Sequence, residues 1–273
     1  MSIAEAANRI ESLIGPDDPP PFSIINPRGE SNVLLVCDHA SNAIPKCLDN
    51  LGLDAAAIER HIGWDIGARK LFEHLSAHLD APGVMAGYSR LVVDLNRSLE
   101  DESVMPLVSD GTVIVGNQKM SEVHRNRRIR DFYTPYRQAI DGMLTRFRER
   151  GVIPAFIAIH SFTPQMVGGA SRPWQLGVLW DKDPRIPVPL IRNLRSRPEG
   201  FVIGDNEPYS GKHPADYTID HHAEAAGLPH VSIEVRQDLI DTEAGAERWA
   251  GILHATFAEI LADPDLYQIW QSV

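Results

Sequence analysis

Cysteine is nearly missing from this chain: Cys37 and Cys47 are the only two among 273 residues. With no Cys-x-x-Cys pair there is no sign of a disulfide framework, and a reducing cytoplasm is the expected compartment. Long apolar runs are missing as well. No stretch of about 18 apolar residues occurs, which argues against a transmembrane helix. Residues 1–9 lack the basic stretch followed by an apolar one that opens a secretory signal. Positive charge is scarce, with 26 basic residues against 37 acidic and a net charge of −11, so nucleic acid and anionic membranes are disfavoured as partners. A small anionic substrate stays compatible with that balance, because a local pair of arginines outweighs a distant field at short range. A Gly-x-Ser-x-Gly elbow is absent, which disfavours a serine hydrolase. Neither an internal repeat nor a low-complexity interior linker interrupts the chain, so residues 1–273 read as a single catalytic domain. Its first 25 or so residues form an arm broken by Gly15-Pro-Asp-Asp-Pro-Pro-Pro21, with a short helix expected over 1–14. The sequence leaves the oligomeric state open.

What is present is a set of apolar runs that end in polar side chains. Val33 to Cys37 is continuously apolar and rich in β-branched residues, the pattern of a strand buried on both faces, and it stops at Asp38 and His39. Leu91 to Leu95 reads as a second strand, preceded by Ser89-Arg90 and ended by Asn96-Arg97. Ile153 to Ile159 is a third, ended by His160-Ser161, and Leu176 to Trp180 a fourth. In the last, His230 to Arg236, alternation places Ser232, Glu234 and Arg236 on one face. Helical spacing of Trp64, Ala68, Leu71, Leu75 and Leu79 predicts a helix with Asp65 in its first turn, where an acid suits the helix dipole. Further helices are expected from Thr134-Pro135 to Gly151, from Thr218 to Ala226, and from Glu243 to Leu261. Gly204 to Gly211 reads as a loop covering a site. His74 with His78 and the basic run from Arg125 to Arg130 both read as solvated helix faces. The fold class is therefore α/β, a mixed and mostly parallel central sheet with helices on both faces.

Ligands of such sheets bind beyond the carboxyl ends of the strands. The strand ends here supply His39, Asn96 with Arg97, His160, and Glu234 with Arg236. Two imidazoles, a glutamate and an Asn-Arg pair are the ingredients of a mononuclear zinc hydrolase, in which three protein ligands leave the fourth position to water. A carboxylate beside that water moves its proton, and an arginine fork suits a substrate carboxylate.

The segments Cys37-Asp-His-Ala-Ser-Asn-Ala-Ile-Pro45, Ser89-Arg-Leu-Val-Val-Asp-Leu-Asn-Arg97, His160-Ser161 and Ser232-Ile-Glu-Val-Arg-Gln-Asp-Leu-Ile240 together resemble the N-formylglutamate amidohydrolase family over roughly residues 30 to 260. More distantly the spacing resembles zinc carboxypeptidases, a likeness that implies a three-layer phosphorylase/hydrolase-like fold and cleavage of an amide next to a carboxylate. By that resemblance His39 and His160 match metal ligands of one zinc ion, Glu234 the general base, and Asn96 with Arg97 the clamp on the substrate carboxylate. The carboxypeptidase pattern has Glu three residues after the first His, where this chain has Asn42, a poor zinc ligand. Asp65 is the preferred third ligand and Asp38 its rival. Arg90 is a candidate for stabilising the oxyanion or else an ion-pair partner of Asp94, and Arg236 for touching substrate or orienting Glu234. The implied function is zinc-dependent hydrolysis of a small N-acyl, N-formyl-type acidic amino acid. The competing readings are a carboxypeptidase or amidase acting on peptides or cell-wall fragments, and a metal-free binding protein on the same fold.

Overall fold

A computed structural model of the chain describes residues 12–214 and 216–271. Seven strands make the central sheet: β1 (Phe22–Ile25), β2 (Val33–Cys37), β3 (Gly83–Ala86), β6 (Ala155–Phe162), β7 (Leu176–Leu179), β8 (Ile203–Asp205) and β9 (His230–Arg236). Their order is β1-β3-β2-β6-β9-β7-β8. The inner strands β3, β2, β6 and β9 run parallel, while β1 on one side and the β7-β8 pair on the other are antiparallel to them. The mixed, mostly parallel α/β sheet expected from the buried runs is thus present. A separate hairpin, β4 (Val108–Ser109) with β5 (Thr112–Val113), stands outside it.

The period of two along the inner strands divides the core into two layers. Val33, Leu35, Ile157 and Ile233 face helices α2 (Ala68–Leu79) and α7 (Glu243–Leu261) through Leu71, Leu75, Trp249 and Phe257. Leu34, Val36, Phe156 and Ala158 face α4 (Thr134–Glu149) through Tyr136, Ile140 and Phe147. β2 and β6 are buried along their whole length, which is why Val33–Cys37 and Ala155–Ile159 read as continuous apolar runs.

Several local expectations are revised. Leu91 to Leu95 is not a strand; it is a buried run of turns in the α4 layer, with Asp94 N donating to Val104 O and Asn117 Nδ2 to Leu91 O. A short apolar run has the same signature whether its backbone pairs with a sheet or with loops, and here β3 takes the place beside β2. His160 and Ser161 lie within β6, which runs on to Phe162. Asp65 sits not in a first helical turn but in the turn before α2, which begins at Ala68 after Gly67 with φ 82°. Thr134 is no N-cap: α3 (Glu122–Arg128), capped by Ser121, continues through a π turn at Ile129–Tyr133 into α4. That wide turn accommodates Pro135, which has no N–H to give to the preceding turn. The basic run is not wholly solvated either. Arg128 is buried and donates to Val92 O, Gly116 O and Asn117 Oδ1, holding the 91–95 turns in place. His74 and His78 do stand at the surface, with His74 against Glu243. The loop expected over Gly204 to Gly211 begins inside β8. The helix expected over 1–14 falls mostly outside the described residues.

Gly67 carries the chain from Asp65 into α2 in the left-handed region, and a Cβ there would run into the Ile240 carbonyl. Gly67→Ala is therefore expected to lower the unfolding free energy by roughly 1–3 kcal/mol. Urea unfolding measures it, and a midpoint equal to wild type would mean that the turn relaxes without cost.

Candidate active site

Three strand ends and two turns bring their polar groups to one place. The chain leaves β2 at Cys37, so Asp38 and His39 are freed from strict alternation and both approach the end of β6. Backbone pairing fixes the turn that follows, since Asp65 N donates to His39 O at 2.9 Å. Parallel register sets His160 of β6 beside Glu234 of β9 on the same face of the sheet.

Asp65 is the hub. Its Oδ2 lies 2.8 Å from His160 Nδ1 and 3.3 Å from His39 Nδ1, and the ligand atoms of His39, Asp65 and His160 all fall within 4.8 Å of one another. Behind each imidazole stands a further carboxylate. His39 Nε2 is 2.8 Å from Asp94 Oδ1, and His160 Nε2 is 3.4 Å from Asp38 Oδ2. Asp38 is thus on the far side of His160 from the cluster, and Asn42 is turned away toward Glu59, so of the three candidate third ligands only Asp65 joins the histidines. A carboxylate on the second nitrogen of each ligating histidine is the arrangement that orients imidazoles toward a metal and raises their basicity.

Burial makes the charge balance decisive. Asp38, Asp65, Asp94, Glu234 and both histidines are nearly inaccessible. Burial alone pushes the Asp65 carboxyl up, but His39 and His160 outweigh it and hold it well below the ordinary carboxylate range. Burial is likewise outweighed at Asp94, which Arg90 and then His39 keep low. Both imidazoles are raised, His160 strongly, because Asp38 and Asp65 overcome its desolvation. Glu234 moves the other way: burial, with the Asp65 charge adding to it, pushes its carboxyl up to about 8. Its Oε2 is buried with no hydrogen-bond partner among the described residues. A divalent cation held by His39, Asp65 and His160 would fit this donor set, two imidazoles and a carboxylate whose ligand atoms lie so close together.

Arg90 does pair with Asp94, through Nε at 3.0 Å and Nη2 at 2.7 Å, and its Nη1 stands 3.7 Å from Asp65 Oδ1. It also lines the cavity above the cluster, a space of about 470 Å³ shared by His61, Asn96, Arg97, Tyr209 and Glu234. Asn96 is oriented from behind: its Oδ1 accepts from Thr218 N at 2.8 Å, while Thr218 Oγ1 donates to Asp38. Arg97 donates to Asn96 O and approaches Asp101. Arg236 is not brought in. It turns to Asp238 and to the carbonyls of Arg172 and Trp174, and it does not line the cavity. Sequence reading missed Asp94 and Asp38 as braces of the two histidines; the spacing of Arg90 and Asp94, four apart inside an apolar run, is the one signal that pointed there.

A family model described as N-formylglutamate amidohydrolase matches residues 31–241, which takes in every residue of this cluster. The chain belongs to the N-formylglutamate amidohydrolase family. Within the solved structures it is similar to a gene product of Agrobacterium tumefaciens, at 32% identity and a TM-score of 0.88, covering 92% of this chain and 98% of that one. It is similar in fold to an N-formylglutamate amidohydrolase of Ralstonia eutropha JMP134, at 20% identity and a TM-score of 0.63, covering 89% of this chain and 98% of that one. No curated protein matched. Membership in the family suggests amidohydrolase activity on a small substrate. Among the described residues no helix is long and apolar enough to cross a membrane.

The raised Glu234 pKa has a consequence for stability in the chelator-treated protein. A group raised from 4.5 to about 8 contributes stability that is complete below about pH 4.5 and is lost as the pH rises through about 8. Across that window the wild type is expected to lose stability relative to Glu234→Gln. Parallel stability curves for the two proteins would mean that Glu234 is already ionised.

Proposed function

We propose that the protein is a zinc-dependent amidohydrolase that cleaves the amide bond of a small N-acyl, N-formyl-type amino acid with an acidic side chain, and that it works in the cytoplasm as a single catalytic domain. The observation that carries the reading is the convergence of His39, Asp65 and His160, each imidazole backed by its own carboxylate, next to a buried and unpartnered glutamate. In this reading His39, Asp65 and His160 would hold one zinc ion. When bound, such an ion acts as a Lewis acid and makes water acidic enough to lose a proton near neutrality.

The remaining roles fall to the chain. Glu234, whose pKa lies close to neutral, takes the proton from the attacking water and passes it to the leaving nitrogen. Arg90, fixed by Asp94 at the cavity wall, offers positive charge to the carbonyl oxygen as it becomes anionic. Asn96 keeps its amide N–H groups for a ligand because its oxygen is engaged by Thr218, and beside it Arg97 offers a fork to the substrate carboxylate. Arg236, turned to Asp238, is given no substrate contact in this reading.

Metal analysis of purified protein tests the centre: wild type is expected to carry one zinc per chain and His39→Ala and His160→Ala to lose it. Undiminished zinc in both variants would remove these ligands. Glu234→Gln is expected to keep zinc and substrate binding while turnover drops about a hundredfold or more, and near-normal turnover would take Glu234 out of the chemistry. Arg97→Lys keeps the charge but loses the fork, and is expected to weaken binding by roughly 1.5–3 kcal/mol. A panel of N-acyl amino acids, their α-amides and short peptides reads that loss. Preference for peptides would favour a carboxypeptidase instead, and equal sensitivity of wild type and Arg97→Ala to amidation would place Arg97 outside the substrate site.

A further inference from the structure

Above the cluster, one wall of the cavity comes from a hairpin held at its base, where Asn117 Nδ2 donates to Pro106 O and Gln118 Nε2 to Leu107 O, but with its tip standing clear of the sheet. The β4-β5 hairpin turns through Asp110 and Gly111, both at positive φ (41° and 76°), a two-residue connection of the kind that Asp-Gly favours. It pairs with no strand of the central sheet, and Leu107, Val108 and Val113 are each more than half exposed. Hydrophobic burial therefore does not seat it, and an isolated two-stranded ribbon is marginal in water. Yet Pro106, Val108, Ser109 and Asp110 line the cavity.

What seats the tip of the hairpin is a carboxylate. The Asp110 side chain is 6% exposed. Its Oδ2 accepts from Arg60 Nη2 at 2.8 Å and lies 3.3 Å from His61 Nε2, and its Oδ1 accepts from Val167 N at 3.2 Å. Arg60 reaches on through Nη1 to Thr112 Oγ1 at 2.7 Å, gripping both sides of the hairpin turn. Arg60 and His61 belong to the segment that leads into Asp65, and Val167 to the loop that follows His160. Both of those segments also line the cavity, through His61 and Ile62 on one side and Thr163 and Met166 on the other. A single side chain thus ties the hairpin tip to the two pieces of chain that carry the candidate ligands.

We propose that Asp110 is a positioning residue, a latch that holds the 107–113 hairpin down as a wall of the cavity, so that the Asp110–Arg60 and Asp110–Val167 contacts set how firmly substrate is retained. Elements held by few buried contacts open at low cost, and such elements commonly gate active sites. The latch acts through the wall and takes no part in bond making.

Hydrogen exchange on the purified wild type, Asp110→Ala and Arg60→Ala tests the latch without reference to activity. Exchange at the amides of 107–113 and at Val167 is expected to speed up at least tenfold in both variants, with the amides of β6 and β9 unchanged. Wild-type rates at the hairpin in both variants would overturn the proposal. So would an acceleration spread equally over β6 and β9, which would make Asp110 a residue of general stability. A kinetic arm, which rests on the amidohydrolase reading, expects KM for an N-acyl amino acid to rise at least fivefold while kcat changes less, with Arg60→Lys recovering part of the loss. A drop in kcat at constant KM would overturn the positioning role. If the hairpin loosens as expected and no protein hydrolyses the substrate, the latch stands and the proposed function fails.

Discussion

Everything at this site depends on one carboxylate oxygen being shared by two imidazoles. Asp65 Oδ2 sits between His39 Nδ1 and His160 Nδ1, and all three groups are almost fully buried at the floor of the cavity. An ion taken from water without a partner would cost several kcal/mol, so the three are stable only as a set whose charges compensate. Asp38 and Asp94 extend the set by one residue behind each histidine, and Arg90 closes it on the Asp94 side. Two imidazoles and a carboxylate converging this closely are a donor set suited to a cation.

The sheet supplies the rigidity this arrangement requires. Parallel pairing of β2, β6 and β9 brings the carboxyl ends of three strands to one edge, and the one-to-one register puts His160 and Glu234 side by side. The turns that complete the site are fastened to those strands rather than free. The His39 carbonyl receives the Asp65 amide, Ser161 Oγ donates to the Ile66 carbonyl, and Asn96 Oδ1 receives the buried Thr218 amide from behind. Distances of this kind survive thermal motion because their backbones are already committed to hydrogen bonds, which is how a site comes to be organised before its ligand arrives.

The environment also separates two acids that are chemically alike. Asp65 and Glu234 are both buried carboxylates near both histidines, yet one is held well below the usual range and the other is pushed up to about 8. Asp65 touches the imidazoles directly, whereas Glu234 feels them only through space and feels the negative charge of Asp65 as well. Pairs of titratable groups driven apart in this way mark where acid and base roles divide.

The comparison of reading and outcome has a physical boundary. Sequence alone determined the buried parallel strands, because Val33 to Cys37 is apolar at every residue and His230 to Arg236 alternates apolar with polar, and it determined the family, because the motifs around His39, Arg90, His160 and Glu234 occur in order. It also isolated the two histidines, since a polar residue at the end of an apolar run is conspicuous, and it preferred Asp65 as an acid close behind the first motif where Asn42 is a poor ligand. It misread Leu91 to Leu95 as a strand, since hydrophobicity records burial and not the partner of the backbone. Only the tertiary structure decided that Asp94, inside that run, braces His39, that Asp38 stands behind His160 rather than with it, and that Arg236 points to Asp238. Those outcomes depend on where side chains distant in sequence meet, and on a break in alternation after Cys37 that no local pattern announces.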